Sequence, residues 1–84
     1  MERPSDRLRR LRRSRRISQV MLSELCGLGS KSVGFYEQGG RPGADALIAL
    51  ADYFDTSIDY LLCRTDNPAR PPSAAPRGPG DWGP

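Results

Sequence analysis

The 84-residue chain contains no histidine, only two cysteines, and 7% aromatic residues. Each shortage removes a class of function. Without histidine the most versatile general base and the commonest metal ligand are gone. No cluster of Cys, Asp or Glu has the spacing of a metal site, and no nucleophile has a base beside it. The chain therefore reads as a non-enzyme with no metal and no cofactor. Cys26 and Cys63 are too few for a disulfide framework. With no signal-peptide pattern either, the expected setting is the reducing cytoplasm. No stretch approaches the ~20 apolar residues that cross a bilayer, so a membrane is not an expected partner. No segment alternates apolar and polar residues over a strand's length, and there are no internal repeats.

What the chain does contain is unevenly spread. Leu, Ile, Val, Phe and Tyr concentrate between Leu8 and Leu62, whereas "ARPPSAAPRGPGDWGP" is rich in Pro and Gly and keeps no period. The expected organisation is one domain over residues 1–68, folded over roughly 4–64, and a disordered tail over 69–84 in which Trp82 has no evident partner. The overall charge of +3 hides an asymmetry. Residues 1–16 carry eight arginines against Glu2 and Asp6, net +6, whereas residues 44–66 carry five aspartates against Arg64, net −4. One end suits an anionic partner and the other does not.

Helical signals recur five times. The first helix is expected from an N-cap at Ser5 or Asp6 to about residue 15, with Leu8 and Leu11 as its apolar stripe. Ser18 caps a second over 19–26, whose Leu22, Leu25 and Cys26 face inward, and Gly27 ends it. A third is expected over 30–38, a fourth over 44–54 and a fifth from 57 or 58 to 62. Tyr36, Leu47, Ile48, Leu50, Phe54, Ile58, Leu61 and Leu62 are assigned to the core, and Cys63 stands where a helix-ending glycine belongs. Only three residues, Gly27-Leu28-Gly29, separate the second and third helices, so the pair must cross steeply. Ser23, four residues before Gly27, supplies the small side chain a close crossing needs. Val33, six residues after it, plugs the shared core. This is helix-turn-helix spacing.

Residues 19–38, with flanks "RLRRLRRSRRISQ" and "FYEQGGRPGADALIALADYFDTSIDYLL", resemble the phage-repressor-like (Cro/repressor, Xre-type) helix-turn-helix domains. The resemblance rests on Arg12, Ser18-Gln19, Leu22, Gly27, Val33, Tyr36-Glu37, Gly39, Pro42 and "SIDYLL", in order, over most of the ordered chain. It implies an all-α, compact five-helix bundle of the lambda-repressor-like type. Its third helix would lie in the major groove of double-stranded DNA, with the second crossing the phosphate backbone.

The resemblance further implies that Gln19 and nearby backbone N–H groups hold a phosphate. Ser30, Lys31 and Phe35 would reach base edges or phosphates, and Ser32 a phosphate. It also implies a salt bridge between Arg12 and Glu37 that fixes the reading helix to the bundle. Chemically, Lys31 can donate to guanine, while Phe35 can contact only a thymine methyl. Two readings stand open for Phe35, base contact or packing on the bundle surface. Arg41, in the loop after the third helix, is in reach of phosphate or minor groove. Arg9 and Arg10 are the expected phosphate contacts of the first helix, within a run otherwise read as a solvated face. Gly29 offers no side-chain cap, and Gly34 costs on the order of 1 kcal/mol relative to Ala mid-helix, a cost that close backbone approach would justify.

The expected function is sequence-specific DNA binding by a small transcriptional repressor. Single modules of this size bury modest area, so a homodimer on a palindromic operator is expected, with residues 55–62 of the fourth and fifth helices as the candidate interface. The alternative is a protein-interaction module on the same fold, antitoxin-like or a co-regulator, favoured by the small residues at 29, 30, 32 and 34.

Overall fold

The computed structural model describes residues 1–70. The expected tail therefore lies, from residue 71 onward and including Trp82, outside the described residues. Five helices follow one another: α1 (Pro4–Ser14), α2 (Gln19–Leu25), α3 (Ser32–Glu37), α4 (Ala44–Phe54) and α5 (Ile58–Leu61). No strand occurs among the described residues.

Helix ends are set by local chemistry. The Ser18 and Ser57 hydroxyls each accept a backbone N–H three residues on, from Met21 and Tyr60, at 3.0 Å. After α2 the chain turns left-handed at Gly27, φ +70°. Gly27 N–H then donates to the Glu24 carbonyl and Leu28 N–H to the Ser23 carbonyl, at 3.0 and 2.8 Å. That double closure is a Schellman motif, and it satisfies the carbonyls a helix end leaves open. The same crossed pair of bonds ends α4 at Asp55 (φ 54°) and α5 at Cys63 (φ 60°), where no glycine is present. Cys63 thus holds the conformation expected of a glycine.

Several expected boundaries and burials differ. α1 begins at Pro4, before Ser5 and Asp6, because proline's fixed φ suits the first helical position, and Arg3 serves as a cap without a side-chain bond. α3 begins two residues after the expected Ser30. Ser32 N–H bonds the Gly29 carbonyl, so the lead-in is a tighter 3₁₀-type turn and the α2–α3 connection spans residues 26–31. Leu25 does not face inward and is 54% exposed. At 100° per residue, Ser23 and Cys26 share a face with Leu22, and Leu25 falls on its far flank. Ile48 (49% exposed) and Ile58 (37%) likewise lie outside the core to which their apolarity assigned them.

Leu8, Leu22, Val33, Leu50, Ala51, Phe54 and Leu61 form the core, one or more from every helix, with Leu11, Ile17, Cys26, Leu28, Tyr36 and Tyr53 packed around it. α1 touches both α3 and α5, so it joins the α2–α3 pair to the α4–α5 pair. The chain after α5 folds back far enough for Ser57 N–H to donate to the Pro68 carbonyl at 3.2 Å.

Candidate nucleic-acid interface

The corner between α2 and α3 is built around Ser23. Its hydroxyl donates to the Gln19 carbonyl at 2.8 Å and accepts the Val33 N–H at 3.0 Å. The small side chain expected at the crossing is therefore also a polar clamp, wholly buried beside Val33 and Leu22. It satisfies the Val33 amide, which lies in the first turn of α3 and has no partner within its own helix.

The far end of α3 is held by Glu37, which is buried. Arg12 Nε donates to Glu37 Oε2 at 2.7 Å and Arg12 Nη2 to Oε1 at 3.2 Å. Gln19 Nε2 donates to Oε1 at 3.1 Å, and Arg9 reaches the same oxygen at 3.4 Å and the Glu37 carbonyl at 3.0 Å. The implied Arg12–Glu37 bridge is present, inside a larger node that also ties α2 to α3. Burial pushes the Glu37 carboxyl up, but Arg12, Gln19 and Arg9 together outweigh it, and the group sits below the usual carboxylate range. Gly34 faces this node. A Cβ there would lie 3.1 Å from Gln19 Oε1, so the close approach it permits is between neighbouring helices.

The opposite face of α3 is open. Ser30, Lys31, Phe35 and Arg41 are exposed and Ser32 partly so. These five, with Gly29 and Tyr36, line one shallow concavity that contains no carboxylate. Among the described residues, neither Lys31 nor Arg41 is in an ion pair. Phe35 is 59% exposed, yet its ring is positioned: it meets Tyr36 edge-on at 6.0 Å and lies directly over Gly40, where a Cβ would collide with it. One face of the Phe35 ring thus packs on the loop, while much of the side chain is exposed to solvent.

The remaining expected contacts are placed differently. Gln19 is exposed but does not line this concavity, and its amide nitrogen donates to Glu37. Arg9 and Arg10, expected on phosphate, are held by the chain's own carboxylates. Arg9 pairs with Glu37, and Arg10 donates to Glu2 at 2.9 Å and to the Tyr60 hydroxyl at 3.0 Å, on the α5 side of the bundle. The Arg10 and Arg7 hydrogen bonds hold the Glu2 carboxyl down to about 2. Arg15 lies over the Tyr53 and Phe54 rings at 5.5 Å. Arg9, Arg10 and Arg15 are therefore engaged by the chain's own groups while staying at its surface.

Sequence reasoning missed Arg7 altogether. Its guanidinium is buried, donates to the Tyr60 and Thr65 carbonyls at 2.9 and 2.8 Å, pairs with Glu2 and Asp66, and stacks on the Tyr60 ring at 4.2 Å. In a run of eight arginines it reads as solvated. The available signal was its place four residues before Leu11, on the flank of the apolar stripe.

The family model for Helix-turn-helix (HTH_3) matches residues 8–61. Two similar proteins of Bacillus subtilis (strain 168) are the uncharacterized HTH-type transcriptional regulator YobD and the HTH-type transcriptional regulator AnsR. YobD is 40% identical over 63 residues, 74% of this chain and 56% of YobD. AnsR is 39% identical over 70 residues, 82% of this chain and 60% of AnsR. The chain thus spans little more than half the length of either, and both bear the names of regulators, not enzymes. Among solved structures, the P22 c2 repressor in complex with a synthetic operator superimposes with a TM-score of 0.70 at 27% identity, covering 74% of this chain and 96% of that one. The solution structure of the DNA-binding domain of the same repressor gives a TM-score of 0.65 at 27% identity, covering 82% and 96%.

Proposed function

The chain belongs to the helix-turn-helix family, and on that premise we propose that it is a transcriptional regulator that binds double-stranded DNA through α3. The observation that carries this reading is the carboxylate-free patch made by Ser32 and Phe35 of α3, Ser30 and Lys31 of the turn before it and Arg41 of the loop after it, on the outer side of a helix whose inner side is locked by Ser23 and Glu37. A rigid reading element with a cationic, hydrogen-bonding and apolar outer surface matches what a major groove offers. Lys31 donates to guanine or phosphate, Ser30 and Ser32 to phosphate, and Phe35 contacts a thymine methyl. Arg41 takes phosphate beside the groove, and the α2 amino end at Gln19 takes another. Arg9 and Arg10 join only by exchanging Glu37 and Glu2 for phosphate, and so contribute least.

The regulator acts as a homodimer on a palindromic operator, as a repressor, in the cytoplasm. Support for the dimer lies in Ile48 and Ile58, exposed on the α4–α5 side beside Ala51. Selection of bound sequences from random duplexes tests the whole reading. A single enriched motif with two half-sites about one helical turn apart is the expected result. Recovery of unrelated sequences, or affinity indifferent to salt, rejects it.

A second reading is favoured by Val20, Met21 and Leu25, apolar and exposed together on α2, which suit a protein partner. Under that reading the double variant Lys31→Glu/Arg41→Glu binds DNA no more weakly than the parent.

A further inference from the structure

A second concavity borders the α3 patch, sharing Tyr36 and Arg41 with it, but opens between other elements and has no assigned role. It is a cavity of about 550 Å³ between the start of α1, the α3–α4 loop and the α4–α5 pair. That size falls within the roughly 300–1,000 Å³ of small-molecule sites. Its floor is apolar: Leu8, Leu50 and Leu61 are core residues whose outer edges it meets, and Tyr36, Leu47 and Leu62 form the walls. Its rim is cationic. Arg3 and Arg41 line it, no carboxylate does, and among the described residues neither arginine is in an ion pair. Pro4 and Ser5, also lining it, begin α1, an eleven-residue helix whose cap supplies no side-chain acceptor.

The geometry points to a binding site for an aliphatic carboxylate, with its chain on the leucine floor and its head between Arg3 and Arg41. An apolar floor alone would accept any hydrophobe. The two unpaired cations select an anionic head, and rim arginines are placed to meet it without giving up contact with water. Arg41 also belongs to the patch proposed for DNA, so a bound carboxylate competes for it. Carboxylate and duplex then weaken each other's binding by the same factor. That coupling rests on the proposed function, whereas the binding itself does not.

Decanoate, below its micelle-forming concentration, is the probe, titrated into the full chain without DNA and followed by NMR and calorimetry. The expected result is saturable one-to-one binding that shifts the methyl signals of Leu47 and Leu62. Octanoate, two methylenes shorter, binds roughly 15-fold more weakly, from ~0.8 kcal/mol per methylene. Decanol binds more weakly than decanoate, and Arg3→Gln removes part of that difference without altering the fold. Leu47→Trp, which fills the cavity, abolishes binding. Because that variant can also disturb folding, Arg3→Gln serves as the independent check. Absence of saturation, or equal affinity for decanol and decanoate, overturns the site. Saturable binding with unchanged operator affinity upholds the site and overturns the coupling.

Discussion

Replacing Glu37 by Gln isolates the node that fixes α3. Four side-chain hydrogen bonds converge on this carboxylate, from Arg12 twice, Gln19 and Arg9. The carboxylate side chain is 1% exposed and that of Arg12 12%. An amide of the same shape keeps one acceptor but turns N–H groups toward a guanidinium, leaving the Arg12 charge buried and uncompensated. Breaking such a pair by removing one partner costs about 3–5 kcal/mol. A domain of this size has about 4–10 kcal/mol in all, so from about a third of its stability to nearly the whole is at stake. The corresponding fall in melting temperature is about 12–40 °C, at ~4–8 °C per kcal/mol. Urea unfolding followed by far-ultraviolet circular dichroism measures the loss. A loss below ~1 kcal/mol refutes the reasoning, because that is the range of an exposed ion pair. Adding Arg12→Met to a Glu37→Met variant removes the orphaned charge and should recover part of the loss, as a double-mutant cycle would show.

The pH dependence follows in sign. The folded Glu37 carboxyl lies below its ordinary value of 4.5, as does Glu2 at about 2. Each contributes stability that is fully present above 4.5 and lost as pH falls through the folded value. Wild-type stability should therefore decline steadily below pH 4.5, and Glu37→Gln should flatten that decline.

Further outcomes can be checked singly. Cys63→Gly relieves a left-handed residue that is not glycine and should stabilise the chain by roughly 1 kcal/mol in the same unfolding assay. The Thr56 hydroxyl is buried with no hydrogen-bond partner among the described residues, so Thr56→Val should be neutral or stabilising by up to ~1 kcal/mol. Lys31→Ala should reduce the slope of log affinity for operator against log salt by about 0.9, whereas Arg10→Ala, already neutralised by Glu2, should leave it unchanged.

The helical content was legible because its causes are local. Ser18, Gly27 and Ser57 set helix ends through bonds to backbone groups within five residues, and Leu8, Leu22, Val33 and Leu50 reveal the buried faces by spacing alone. The α2–α3 corner was legible for the same reason, since Ser23, Gly27 and Val33 constrain one crossing. The candidate interface was partly legible. Resemblance to the family pointed to Lys31 and Phe35, but not to the way Gly40 supports the Phe35 ring or Gly34 accommodates Gln19.

Five helices, a sharp corner and a surplus of cations at one end follow from neighbouring residues along the chain. Which cations face solvent was decided only by tertiary structure. Arg7, Arg9, Arg10 and Arg12 are alike as residues, yet their carboxylate and carbonyl partners come from Glu2 at one extreme and Asp66 at the other. Charge pairing acts through space over a few ångströms, and the proximity of Arg7 to Asp66 or of Arg12 to Glu37, far apart in the chain, exists only once the core has closed.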